Sequence, residues 1–211
     1  MNDTSSKYSY FSKDKCILVT GGCGFIGGNL IRKILQFGDS KVINIDKLTY
    51  ASDFSSINSI INNLSEDSKK RYHFYQCDLY DKNKVLKIIL DTKPNYIYHL
   101  AAESHVDRSI NDPISFIKSN IIGTYNLIEA TRHYYQDLSS QKRKLFKFHH
   151  ISTDEVFGSL SKDALPFNEN SNYDPSSPYS ASKASSDHIV NAWHKTYNLP
   201  ILISNCSNNF G

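Results

Sequence analysis

The sequence predicts an α/β protein built on a doubly wound parallel sheet, and three observations lead there. Six short apolar runs, rich in β-branched residues, alternate with amphipathic helical stretches. A glycine-rich turn follows the first run and opens the first helix. The 211 residues are 39% hydrophobic and 21% charged, which leaves ample material for a core.

Residues 1–14 are polar, lack the apolar segment of a signal peptide, and read as a disordered tail ahead of a domain spanning 15–211. "KCILVT" (15–20) is a buried-strand pattern, and "FIGGNLIRKILQFG" (25–38) is helical in its apolar spacing and stops at Gly38. "KVINID" (41–46) reads as the second strand, 53–64 as a helix, "YHFYQCD" (72–78) as the third strand and 82–90 as a helix. "NYIYHLAA" (95–102) is the fourth strand, followed by a long helix over 113–135 with Pro113 at its entry. Residues 146–152 extend, 178–197 are helical, and 200–205 extend again. The longest irregular piece, 158–177, precedes the last helix; a loop of that length inside a compact domain is usually functional.

Bulk properties exclude several classes. A net charge of +3, from 24 basic and 21 acidic side chains, gives no footprint for nucleic acid or a membrane surface. The densest basic cluster, "KRK" at 142–144, is expected to cap a loop. No stretch approaches the ~20 apolar residues of a spanning helix. Cys16, Cys23, Cys77 and Cys206 have neither CxxC nor metal-ligand spacing and read as reduced thiols, so a cytoplasmic protein without a metal site is expected.

Two motifs carry the chemistry. In "TGGCGFIG" (20–27), Gly21, Gly24 and Gly27 allow a sharp turn, close approach of a pyrophosphate, and tight helix–strand packing. An anion there would meet the free N–H groups of the helix start at Phe25 and Ile26. Asp46 ends the second strand and is placed to accept ribose hydroxyls and repel a 2′-phosphate, which favours NAD over NADP, although Lys47 beside it works the other way. Asp78 ends the third strand and has two open readings, an adenine contact or a helix N-cap. In the second motif, Tyr179 and Lys183 lie four apart at a helix start and share a face, so an ammonium can stabilise a phenolate. Ligands of such sheets bind outside the carboxyl ends of the strands, where Thr153, Asp154 and Glu155 stand together.

The segments "TGGCGFIG", "NIDKLTYA" (44–51), "HLAAESHVDRSI" (99–110), "NIIGTYNLIEA" (120–130), "FHHISTDEVFG" (148–158), "SPYSASKASSDH" (177–188) and "NCSNNFG" (205–211) resemble the extended short-chain dehydrogenase/reductases. Within that NAD-dependent epimerase/dehydratase family, which has a Rossmann fold, they are most similar to the dTDP-glucose 4,6-dehydratases. The resemblance implies that Tyr179, aided by Lys183 and Thr153, takes the proton of the sugar 4-hydroxyl while NAD accepts hydride from C4. Glu155 then removes the C5 proton, Asp154 protonates the departing 6-hydroxyl, and hydride returns to C6. The strand should break at or just after Thr153 so that both carboxyls face one sugar, and burial beside another carboxylate should keep Asp154 protonated.

By the same resemblance Lys47, Leu48, Thr49, Asp78 and Leu79 are adenosine-side contacts, and Leu100, Ala101 and Ala102 pass the nicotinamide half. Ser119, where threonine is common, supplies a hydroxyl on the cofactor side, and Asn209 is a cofactor contact. Ser104 lies near both cofactor and sugar; Thr153 and Asn208 are substrate contacts. A homodimer through helices 113–135 and 178–197 is implied. Phe157 departs from the usual tyrosine, and the family continues well beyond the position of Gly211, so a smaller substrate domain is expected beyond these residues. A UDP-glucose 4,6-dehydratase, or an NAD-binding module without catalysis, remains open as an alternative.

Overall fold

The computed structural model describes residues 11–210. Six parallel strands, β1 (Cys16–Thr20), β2 (Lys41–Asp46), β3 (Tyr72–Gln76), β4 (Tyr96–His99), β5 (Lys147–Thr153) and β6 (Ile201–Cys206), form one sheet in the order β3-β2-β1-β4-β5-β6. The chain winds outward from β1 to β3, returns to the centre at β4, and winds outward the other way. The carboxyl ends of β1 and β4 therefore open a crevice where the winding reverses.

Strand periodicity divides the core. Leu18 points to one face, among Ile43, Ile45, Ile97 and the buried sides of α4 (Lys82–Thr92) and α7 (Gly123–Gln136). Ile17 and Val19 point to the other, among Ile31, Ile34 and Leu35 of α1 (Phe25–Phe37) and Ile57 of α2 (Phe54–Asn63). Each such side chain contributes about 1.5–3 kcal/mol on burial.

The N-terminal tail departs from expectation. Its residues 1–10 lie outside the described residues, but Phe11 accepts N–H bonds from Asp39 (2.7 Å) and Ser40 (3.1 Å), and Ser12 accepts one from the Ser40 hydroxyl. Phe11 packs against the α1 side of the core. It also explains Gly38: that residue is extended rather than left-handed, and an added Cβ would stand 2.6 Å from the Phe11 Cβ.

Two strands are shorter than their apolar runs, β3 ending at Gln76 and β4 at His99. The helix expected over 113–135 is three pieces: α6 (Pro113–Phe116), a π-helical segment (Ile117–Ile122) and α7. Three short helices lacked a sequence signal: α3 (Glu66–Lys69), α5 (Val106–Asn111) and α8 (Ser140–Leu145). In α8, Arg143 donates to the Tyr135 and Gln136 carbonyls, so the basic cluster caps the end of α7. The last helix, α9 (Pro178–Tyr197), starts with a Ser177–Ser180 capping box and Pro178, and stops at left-handed Asn198. All four cysteines are free thiols. No helix among the described residues is long and apolar enough to cross a membrane.

Candidate active site

The glycine turn sits at the crevice. Gly21 has φ +69°, and a Cβ there would stand 2.6 Å from the Ala101 nitrogen, so the turn and the segment after β4 touch backbone to backbone. A Cβ on Gly27 would lie 2.2 Å from the Gly21 carbonyl oxygen. At Gly24 it would meet only that oxygen, at 3.3 Å, leaving the rest of its surroundings open. Gly22 is equally constrained, since its Cβ would meet the Asn44 side chain at 2.1 Å, yet the motif spacing did not single it out. No side chain caps the start of α1, so its first N–H groups are available to an anion.

Asp46 is buried and already employed. One oxygen accepts from the Cys23 N–H (2.9 Å); the other accepts from the Leu48 N–H (2.8 Å) and the Ser52 hydroxyl (3.1 Å). It ties the glycine turn to the loop after β2, where Leu48 is held at φ +60°. A carboxylate has about four lone-pair sites, so one remains for a ribose hydroxyl. Lys47 pairs with Glu103 at 3.0 Å, which offsets the positive charge that would otherwise favour a 2′-phosphate. Arg108 of α5 stacks 3.7 Å from the centre of the Tyr50 ring, tying that helix to the loop after β2.

The groove so formed is lined by Gly21, Gly24, Asp46, Lys47, Thr49, Asp78, Leu79, Leu100, Ala101, Ala102 and Ser119, all expected from sequence, together with Glu103. Leu48 lines the adjoining hollow. Asp78 is not a helix cap: its carboxylate accepts from the Tyr80 N–H in a local turn, and Asp81 caps α4 instead. These residues fit a dinucleotide, with a glycine cradle, uncapped helix N–H groups and one acidic side chain at the second strand end.

Beside β4 in the sheet, β5 stops at Thr153 and a 3₁₀ turn (Asp154–Phe157) takes over, as expected from the sequence. The Thr153 hydroxyl accepts from the Glu155 N–H (3.2 Å) and lies near enough to the Tyr179 phenol to lower its pKa in part. On a 3₁₀ turn neighbouring side chains diverge by about 120° rather than 180°, so both carboxyls can approach one ligand. Burial, helped by the charge of Asp154, pushes the Glu155 carboxyl up. Tyr179 departs from expectation. Burial and the charges of Glu155 and Asp154 push its phenol up to about 12, while the Lys183 ammonium, expected to lower it, donates to the Ile151 carbonyl at 2.7 Å. Burial brings Lys183 itself down to about 8.

Other expected residues lie apart. Phe25 and Ile26 are exposed at the start of α1, and Ser104 is exposed beyond the groove. Asn208 and Asn209 follow β6 as exposed chain, Asn209 bonding only locally to the Ser207 carbonyl. Conversely, Asn120 fixes Glu103 through both its backbone N–H (2.8 Å) and carbonyl (2.9 Å), and donates to Ser182 of α9. Asn205 donates to the Thr153 carbonyl at 3.2 Å. Neither had a local signal, because their partners are distant in sequence.

Comparison with known proteins agrees with this geometry. A family model described as GDP-mannose 4,6 dehydratase matches residues 18–211. The dTDP-glucose 4,6-dehydratase of Haemophilus influenzae is 52% identical over 195 residues, covering 92% of this chain and 56% of the relative. The solved dTDP-glucose 4,6-dehydratase of Streptomyces venezuelae, with NAD bound, superimposes with a TM-score of 0.79 at 35% identity, covering 93% of this chain and 56% of that one. The enzyme of the same description from Bacillus anthracis, in complex with NAD, gives 0.76 at 36% identity, with 93% and 56% covered. The chain therefore spans about half the length of the relatives it matches.

Proposed function

The chain belongs to the family described as GDP-mannose 4,6 dehydratase, and we propose that within it the chain carries the NAD-binding, catalytic half of a dTDP-glucose 4,6-dehydratase. One observation carries this reading: a hydroxyl and two carboxyls, Thr153, Asp154 and Glu155, leave the end of β5 on a 3₁₀ turn against the Tyr179 phenol. A plain alcohol dehydrogenation needs only the tyrosine and lysine. Elimination of water needs an acid and a base as well.

NAD, when bound, supplies a hydride acceptor at the sugar C4 that returns the hydride to C6. The glycine turn and the start of α1 would hold its pyrophosphate; Asp46, Thr49 and Leu79 its adenosine; Leu100 to Ala102 its nicotinamide half. Tyr179 would take the 4-hydroxyl proton. With a pKa near 12 its phenol is protonated before substrate arrives, so positive charge from Lys183 and the bound cofactor must favour the phenolate. Glu155 would remove the C5 proton, and its raised pKa makes it a stronger base than an ordinary carboxylate. Asp154 would deliver a proton to the leaving 6-hydroxyl. It lines a hollow beside Phe157, Phe167 and Asn205.

The reading extends to a homodimer through 113–135 and 178–197, supported by Ile114 and Ile117, which are 54% and 43% exposed. The test is incubation with NAD and dTDP-glucose, with UDP-glucose in parallel, followed by mass spectrometry. Loss of one water from the dTDP sugar supports the proposal. NAD binding without product from either donor overturns it in favour of a non-catalytic module.

A further inference from the structure

The wall of the groove after β4 is tied at both of its ends to a chain of buried hydrogen bonds. At Ala101 the N–H donates to the Thr20 hydroxyl at 3.3 Å, and that hydroxyl lies 2.8 Å from His99 Nδ1. His99 Nε2 lies 2.8 Å from the Thr124 hydroxyl of α7, which donates to the Asn120 carbonyl at 2.6 Å. The Asn120 side chain returns to the wall at Glu103 and donates to the Ser182 hydroxyl, which donates in turn to the Tyr179 carbonyl at 2.7 Å. Thr20, His99, Asn120, Thr124 and Ser182 are all buried, and the proposed chemistry makes no use of His99.

Proton counting gives this chain a direction. A carbonyl oxygen only accepts, so the hydrogen of the Thr124 hydroxyl points at Asn120 and its oxygen accepts from His99. Nε2 therefore carries a hydrogen. Burial, with His150 and Lys183 adding to it, holds the imidazole well below its ordinary value, so His99 is neutral and Nδ1 is bare. Thr20 then donates its own hydrogen to Nδ1 and keeps its lone pairs for the Ala101 N–H. The other tautomer would set a bare Nε2 against the Thr124 lone pairs and make an Nδ1–H compete with Ala101 for one oxygen.

We infer that His99 is a positioning residue: locked as its Nε2–H tautomer between Thr20 and Thr124, it turns the Thr20 hydroxyl so that its oxygen holds Ala101, on the wall assigned to the nicotinamide half. The inference rests on the proposed function for what that wall receives, and its test is read without NAD.

The test is NMR of the cofactor-free chain labelled with ¹⁵N-histidine near neutral pH, His99 being assigned by its loss in His99→Gln. Long-range couplings should show the His99 proton on Nε2 alone. Thr124→Val removes the acceptor at nearly constant shape, so the proton should move to Nδ1 and the Ala101 amide should exchange roughly three- to tenfold faster. Amides of β2 should keep their rates, and Thr124→Ser should behave as the parent. A parent with its proton on Nδ1 or on both nitrogens overturns the inference, as does a parental Ala101 rate in Thr124→Val. If Thr124→Val does not fold, Thr20→Val against Thr20→Ser decides: a faster Ala101 amide in the first alone supports the inference, and equal rates overturn it. A chain that shows the Nε2–H tautomer but binds no NAD fails the proposed function while leaving this result intact.

Discussion

Gly24 and Gly27 occupy neighbouring places in one motif and should respond differently to the same added methyl. Gly27→Ala drives a Cβ to 2.2 Å from a backbone oxygen that cannot move without unseating the turn, so a loss of about 1–3 kcal/mol or more is expected. Gly24 has extended backbone and open surroundings, so Gly24→Ala should stay within ~0.5 kcal/mol of the parent. It should nevertheless weaken NAD binding by roughly tenfold or more, about 1.4 kcal/mol, because the methyl stands where the cofactor must approach. Thermal melts and an NAD titration on the two variants separate fold from binding. Glu155 gives a pH signature. Its carboxyl is raised in the folded chain, so over that window the folded state holds a proton the unfolded state has lost. Stability attributable to Glu155 is present at low pH and declines as pH rises through and just above the usual carboxylate range. Melts of Glu155→Gln across that range should lack this decline, and an identical slope in both proteins would refute it.

Among the elements, the π-helical segment has the clearest structural task. The Gly123 N–H reaches back to the Lys118 carbonyl, the wider bond that defines the bulge, and Asn120 within it clamps Glu103 and Ser182. Asn120→Ala leaves those buried groups unpaired and should cost about 1–3 kcal/mol per unpaired group at most. It should also speed hydrogen exchange at the Glu103 amide well before it affects amides of β2. This segment shows what sequence can and cannot reveal. The helical pattern of 113–135 was legible because its apolar spacing is local, but a one-residue shift in hydrogen bonding leaves that spacing nearly unchanged. Likewise β1 and β2 were read to within a residue from apolar runs. β4 was extended too far, because Leu100 to Ala102 continue the apolar pattern after the pairing has stopped. In the site, glycine spacing, Asp46, the Thr-Asp-Glu triplet and the Tyr–Lys pair were readable. His99, Glu103, Asn120 and Asn205 were not, since each matters through partners far away in the chain.

For the whole molecule, the proposed dimer predicts that Ile114→Asp combined with Ile117→Asp lowers the sedimentation coefficient to that of a monomer. The melting temperature of the isolated chain should change little, because both side chains are already largely exposed. The sheet order carries a further consequence. The glycine turn hangs from β1, the centre of the sheet, with paired strands on both sides. Thr153 ends β5, whose outer neighbour β6 is the edge strand among the described residues. Edges fray first. β3, which leads to Asp78 and Leu79 of the groove, is outer in the same way, so warming should loosen both flanks before the glycine turn at the sheet centre. Hydrogen exchange should then be fastest in β3 and β6 and slowest in β1, leaving the glycine turn the last part of the groove to lose its shape.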